Sequence, residues 1–246
     1  SWLAWYFDNG GKELYDQLWS EMGMNVKGFV MASSGPEALG WFKEPIKNMD
    51  DFRKYRFRTP PGIPGQTYKD IGIASVSLSG GDILPALEKG TIDAAEWCCP
   101  KPDSVFGFQK VLKNYYLQGL HQNVVNGDIY INGDVYNSLT DHQKYAMEVA
   151  SEAMITRNIT NRAVENGKAL IDLTENHGVK LWDTPADYFT EYMNAAQATL
   201  KKNAASNAFF KEVYEHMTAH AKIVVPFIAQ METSDASIGT AFASQQ

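Results

Sequence analysis

The residues best placed to meet a small molecule are Arg58 and the adjacent pair Glu96-Trp97. A guanidinium offers a planar fork of N–H donors that matches the two oxygens of a carboxylate. Arg58 is the last residue before Thr59-Pro60-Pro61-Gly62, so its side chain hangs off the carboxyl end of a short alternating run, Tyr55 to Arg58. Arg56 falls on the same face of that run and reads as structural. Asp93 and His121 have the chemistry of an acid/base pair, but nothing near them resembles a nucleophile, an oxyanion turn or a metal-bound water. Catalysis is therefore not expected. The enzymatic alternative is a hydrolase or lyase of small acids built on Glu96 or Asp93. The two cysteines, Cys98 and Cys99, are adjacent, where the diverging Cβ vectors disfavour a disulfide. They read as buried free thiols beside a ligand pocket.

These side chains need elements to hold them. Ile73 to Leu78, IASVSL, alternates with period two and is rich in β-branched residues, as a strand is. Ser79-Gly80-Gly81 interrupts it, and Asp82 is a good N-cap for the helical run ILPALEK, with Pro85 near its start. Gly90 fits the left-handed position after that helix. Thr91 to Trp97 returns as a second extended segment, giving strand, helix and parallel strand. Ligands of open α/β sheets sit off the carboxyl ends of the strands, which is where Glu96 and Trp97 fall.

The run DDFRKYRFRTP at 50–60 and the pattern from Val76 to Trp97 (Gly80-Gly81-Asp82-Ile83, Pro85-Ala86-Leu87, Gly90, Ile92-Asp93-Ala94, Glu96-Trp97) resemble the solute-binding subunits of TRAP transporters, the DctP-type family. The likeness is to the branch that binds 2-oxo acids such as pyruvate. It implies a two-lobed periplasmic binding protein fold of the type II-like α/β class that closes on an organic acid and delivers it to a membrane permease. By the resemblance, Arg58 is the carboxylate-binding arginine. A cation, Na⁺ or Ca²⁺, would be held by Glu96 and by the Trp97 carbonyl, bridging to the carboxylate and keto oxygens of the ligand. Trp97 would also wall the pocket. Glu37 stands where the branch has a Gln, and Gln122 where it has a carboxylate. Both are expected to touch metal and substrate, and the two carboxylates Glu37 and Glu96 favour a divalent ion. Other carboxylates (lactate, a dicarboxylate or an aromatic acid) fit the same arrangement.

The bounds agree. The chain has 246 residues, 44% of them apolar, which is enough for a sizeable core, and a net charge of −7 without a basic run, which disfavours nucleic acid as a partner. No apolar run of membrane-spanning length occurs. There is no initiating Met or leader. The resemblance implies that roughly a hundred preceding residues of an exported, periplasmic protein, with its leader and the first units of lobe one, are missing here. Lys12 to Met22 forms one apolar helical face closed by Gly23. Val26 to Met31 and Asp128 to Asn132 read as strands, and Ala32 to Glu37 as a polar turn. Pro100 to Val111 reads as a loop opening a helix. A Thr140–Gln143 capping box opens a long helix that stops near Asn176-His177-Gly178. Val179 to Trp182 reads as a short strand, and Thr184-Pro185 starts another helix. Asn207 to Gln230 is the last helix, bent at Pro226, and the tail from Glu232 reads as frayed. Its apolar residues cover more than one stripe, which suits a homodimer contact in the resembled branch. The lobes are expected to be discontinuous, 1–30 with 123–165 and 31–122 with 166–246, joined by the long helix.

Overall fold

The period-two stretches do form strands, and β-branched and aromatic residues fill them. The computed structural model describes residues 1–243. In chain order its first elements are α1 (Trp2–Asp8), α2 (Gly11–Glu21), β1 (Val26–Ser34), β2 (Gly40–Phe42), α3 (Met49–Phe52), β3 (Arg56–Thr59), α4 (Ile63–Asp70), β4 (Ala74–Ser77) and α5 (Gly80–Glu88). There follow β5 (Ala94–Ala95), α6 (Pro100–Phe106), β6 (Asn114–Tyr116), β7 (Val125–Asn132), α7 (Gly133–Ser138), α8 (Asp141–Asn176), β8 (Lys180–Trp182), α9 (Ala186–Ser206) and α10 (Ala208–Ala243).

The main sheet has the order β4-β3-β5-β2-β6-β8. β3 pairs parallel with both β4 and β5, β2 pairs antiparallel with β5 and β6, and β6 pairs parallel with β8. One strand, β2, thus runs against all the others. The crossover through α5 delivers β5 parallel to β4 as expected, but with β3 between them. Neighbouring residues of each central strand point to opposite faces. Phe42, Phe57, Ala94 and Tyr116 join one buried cluster, while Trp41, Ala95 and Tyr115 join another. Both faces are covered, so these strands carry little polar alternation.

Two compact units are present: residues 1–28, 130–138 and 202–246, and residues 29–129 and 139–201. These bounds differ from the expected lobes. Residues 139–165 group with the larger unit because they run on without a break into the rest of α8, which packs on α6. Residues 202–246 group with the N-terminal helices. There Trp5 Nε1 donates to His216 Nδ1 at 2.8 Å, and Asn9 Nδ2 lies 2.9 Å from His220 Nδ1.

Several local expectations shift. The N-cap of α5 is Ser79, and Asp82 sits in the first turn, accepting from the Ser79 hydroxyl at 2.5 Å. Residues 32–34 continue β1 instead of turning, and α6 begins directly after Cys99. The helix opened by Thr184-Pro185 starts at Ala186, and the Thr184 hydroxyl donates to the Gln118 carbonyl at 2.8 Å. The capping box of α8 is present, with Gln143 N–H on Thr140 Oγ1 and Thr140 N–H on Gln143 Oε1. The segment from Glu232 is helical as far as Ala243, and Pro226 lies inside that continuous helix. The last three residues of the tail lie outside the described ones.

Candidate functional site

Strand direction builds the site. β3, β5 and β6 end at the same edge of the sheet, and the antiparallel β2 begins there. The residue near the end of β3 is Arg58, the one after β5 is Glu96, and His121 lies five residues beyond β6. Glu37 comes three residues before β2. Four chain segments far apart in sequence therefore bring their polar side chains to one edge. Close backbone approach makes this possible. Gly40 has φ 134, and a Cβ on it would lie 2.7 Å from the Ala95 carbonyl oxygen. A Cβ on Gly119 would lie 2.8 Å from the Glu37 carbonyl oxygen.

The cluster is buried. Arg58 is 5% exposed, Glu37 4%, His121 7% and Glu96 0%. Arg58 Nη1 donates to Glu96 Oε1 at 2.5 Å and to the Glu96 carbonyl at 2.9 Å. Its Nε and Nη2 both donate to the Leu78 carbonyl, at 3.1 and 3.0 Å. Four of the five guanidinium N–H groups are thus engaged, leaving one on Nη2. The fork expected to face a ligand is mostly turned to the protein. Trp97 flanks it, with the Arg58 guanidinium 5.1 Å from the centre of the indole, which packs in turn on Phe106 at 4.7 Å.

The other side of the cluster is unsatisfied. His121 Nε2 lies 3.3 Å from Glu96 Oε2 and 3.7 Å from Glu37 Oε2. None of these three atoms makes a hydrogen bond among the described residues, although all are buried. Orphaned buried polar atoms are costly and call for an explanation. Ligand atoms of Glu37, Glu96 and His121 fall within 4.8 Å of one another, the spacing of a metal centre. Burial pulls the His121 pKa down, but the Glu37 and Glu96 carboxylates push it up further, and the net value is above the ordinary one. A chain of hydrogen bonds orients the imidazole from behind. Tyr68 OH lies 3.2 Å from His121 Nδ1 and 3.1 Å from Tyr188 OH, which accepts from Leu120 N–H at 3.1 Å.

Of the residues singled out from the sequence, Arg58, Glu96, Trp97 and Glu37 come together. Gln122 is adjacent through its backbone, its carbonyl accepting from Glu37 N–H at 3.0 Å. Asp93 and His121 do not pair. Asp93 grips Arg56 through Nε at 2.8 Å and Nη2 at 2.9 Å, which holds the Asp93 carboxyl below its usual range and gives Arg56 its structural role. His121 as a partner of the two glutamates was not read from the sequence. Its one available signal is its place shortly after a strand end.

An α/β sheet with a buried arginine–carboxylate cluster at the carboxyl ends of its strands is the framework of a binding protein for small polar solutes. The chain belongs to the family of bacterial extracellular solute-binding proteins, family 7, which its residues 2–207 match. That family binds solutes for transport and is not one of enzymes. A curated relative, the monocarboxylate 2-oxoacid-binding periplasmic protein of Nostoc sp., is 33% identical over 226 residues, 89% of this chain. The chain spans 59% of that relative's length. Among solved structures, a TRAP transporter solute-binding protein from Bordetella bronchiseptica, a mixed-occupancy dimer with calcium and picolinate, is similar with a TM-score of 0.91 at 28% identity, over 99% of this chain and 71% of that one. A TRAP periplasmic solute-binding protein from Pseudoalteromonas atlantica with bound sodium and pyruvate has a TM-score of 0.85 at 22% identity, over 96% and 70% of the two chains, and shows the shared fold. These neighbours carry the two-lobed fold of TRAP periplasmic binding proteins. Among the described residues no helix is long and apolar enough to cross a membrane.

Proposed function

We propose that this chain is the ligand-binding part of a periplasmic solute-binding protein that takes a small 2-oxo acid, pyruvate being the simplest, and hands it to TRAP permease subunits. The observation that carries the reading is the buried cluster of Arg58, Glu96, Glu37 and His121 with three orphaned polar atoms. Two carboxylate oxygens, Glu37 Oε2 and Glu96 Oε2, that converge without a hydrogen bond among the described residues suit a hard cation, and two carboxylates favour Ca²⁺ over Na⁺. Glu37 Oε2 and Glu96 Oε2 would hold it, with the Trp97 carbonyl and Gln122 as the further oxygens named by the family likeness. Imidazole is not a usual ligand of either ion. His121 fits better as a donor to the bound acid, its Nε2 proton facing the carboxylates while Tyr68 holds Nδ1.

A bound cation would supply positive charge toward the acid. This chain's residues do the rest. Arg58 contributes its remaining Nη2–H and its charge, and it can present its fork only by giving up the Leu78 carbonyl or Glu96. The Trp97 indole closes one wall, and the sheet edge keeps the charges out of water, which strengthens each contact. Closure of two lobes, 1–30 with 123–165 and 31–122 with 166–246, would trap the acid, and α10 would make the contact of a homodimer. The test is a thermal-shift titration of pyruvate with calcium or with chelator. Stabilisation by pyruvate that needs calcium supports the reading. Equal stabilisation in chelator would overturn the cation's part, and no shift with any small carboxylate would overturn the function.

A further inference from the structure

A polar cavity of about 550 Å³ opens between the start of α6 and the middle of α8, lined by no residue of the carboxylate cluster. Cys99 and Lys101 line it from one side. Asn158, Arg162 and Glu165, spaced so that they share one face of α8, line it from the other. Two features make it more than a surface dent. The Cys99 sulfur lies 2.9 Å from the Cys98 sulfur and accepts from Arg162 Nη2 at 2.9 Å, while the same nitrogen is 3.6 Å from Cys98. The Asn158 Oδ1 atom is buried without a hydrogen-bond partner among the described residues.

A guanidinium against a sulfur pair repels a soft metal cation and attracts an anion, which argues against a metal-thiolate centre. It also steadies a thiolate, the nucleophilic form of cysteine. Arg162 and Lys101 suit a carboxylate. The orphaned Asn158 oxygen and the Glu165 carboxylate, whose Oε1 already accepts from Lys168 Nζ at 3.1 Å, suit an ammonium or amide N–H. Carboxylate and ammonium on a small body describe an amino acid, and the nucleophile facing them is the Cys99 sulfur, held against Arg162 Nη2 and the Cys98 sulfur.

We propose that this cavity binds the disulfide of a small amino-acid thiol and that Cys99 is thiolated there. Cys99 attacks one sulfur of the bound disulfide. A Cys99–S–S–R bond forms, the R–S–S–R bond breaks, and one RS⁻ leaves with the electron pair. Cys98, already in contact, gives its proton to solvent and attacks the Cys99 sulfur, expelling the second RS⁻. The two protein thiols are oxidised to a disulfide and the incoming disulfide is reduced to two thiols. The product joins neighbouring residues, a strained linkage that thiols reopen readily, so the site is reversible.

The test uses the reduced 246-residue chain with L-cystine, and with cystamine, which keeps the ammonium groups but lacks the carboxylates. Mass spectrometry of Cys98→Ser is expected to find one half-cystine on Cys99, with cystamine slower by about fivefold or more. Arg162→Gln should erase that preference. The parent chain should lose two hydrogens and keep no adduct. Should Cys98→Ser fail to fold, substoichiometric iodoacetamide on the parent, followed by peptide mapping, is expected to place the label on Cys99. Cystamine reacting as fast as cystine, labelling centred on Cys98, or no reaction would overturn the site, and an adduct persisting on the parent would overturn closure by Cys98.

Discussion

Glu96→Gln removes one charge from a side chain with no exposure and leaves its shape intact. Two effects follow from the geometry. Arg58, itself 5% exposed, loses the anion 2.5 Å from its Nη1, and a buried charge stripped of its partner costs about 3–5 kcal/mol. The Leu78 and Glu96 carbonyls still accept from the guanidinium, so the lower end of that range is expected, about 3 kcal/mol. The second effect falls on the orphaned Oε2, which becomes half of a neutral amide and a poor cation ligand. In urea titrations the parent should gain about 2.7 kcal/mol at a calcium concentration a hundredfold above its dissociation constant, whereas the variant should gain almost nothing. Measuring both chains in chelator and in calcium separates the effects. A loss below about 1 kcal/mol in chelator would refute the buried-pair argument. An equal calcium gain in both chains would remove Glu96 from the cation site.

Arg58→Lys keeps the charge but abandons the Leu78 carbonyl to burial, so stability should drop by about 1–3 kcal/mol and pyruvate affinity by at least about tenfold, read by calorimetry. Burial pushes the Asp103 carboxyl up to about 7, although hydrogen bonds from Trp41, Tyr115 and the Cys98 N–H pull it down. Its folded pKa is above the ordinary 3.8, so its contribution is whole below that value and is lost as pH rises through about 7. Urea midpoints should therefore fall between about pH 4 and 7 in the parent, levelling above, and stay flatter in Asp103→Asn; parallel profiles would count against it. On α10, Ile223 is 71% exposed and Phe227 68%. Replacing both by Glu should leave the monomer folded and halve the particle mass in light scattering if α10 makes a dimer, and an unchanged dimer mass would exclude that contact.

Alternation at 73–78, the apolar stripe of α2, the capping box at Thr140 and the strand-end positions of Arg58 and Glu96 are local, and each was legible because neighbouring residues alone decide it. The helix starts that shifted, at Ser79 and Cys99, shifted because capping groups compete for other partners. Asp82 can bond Ser79 as well as the backbone, and the Thr184 hydroxyl bonds the Gln118 carbonyl. The direction of β2 was beyond reach, since three residues of Gly-Trp-Phe pair equally well either way along a sheet. Only the packed sheet, with Gly40 against the Ala95 carbonyl, turned β2 around and set Glu37 beside Glu96. The same packing gave His121 two glutamates in place of Asp93, turned most of the Arg58 donors inward, and closed a cavity over Cys99 with residues sixty positions away on α8. Residue types carried the chemistry of acid binding in the one-dimensional chain; which polar atoms of the cluster lack a hydrogen bond among the described residues depended on strand order.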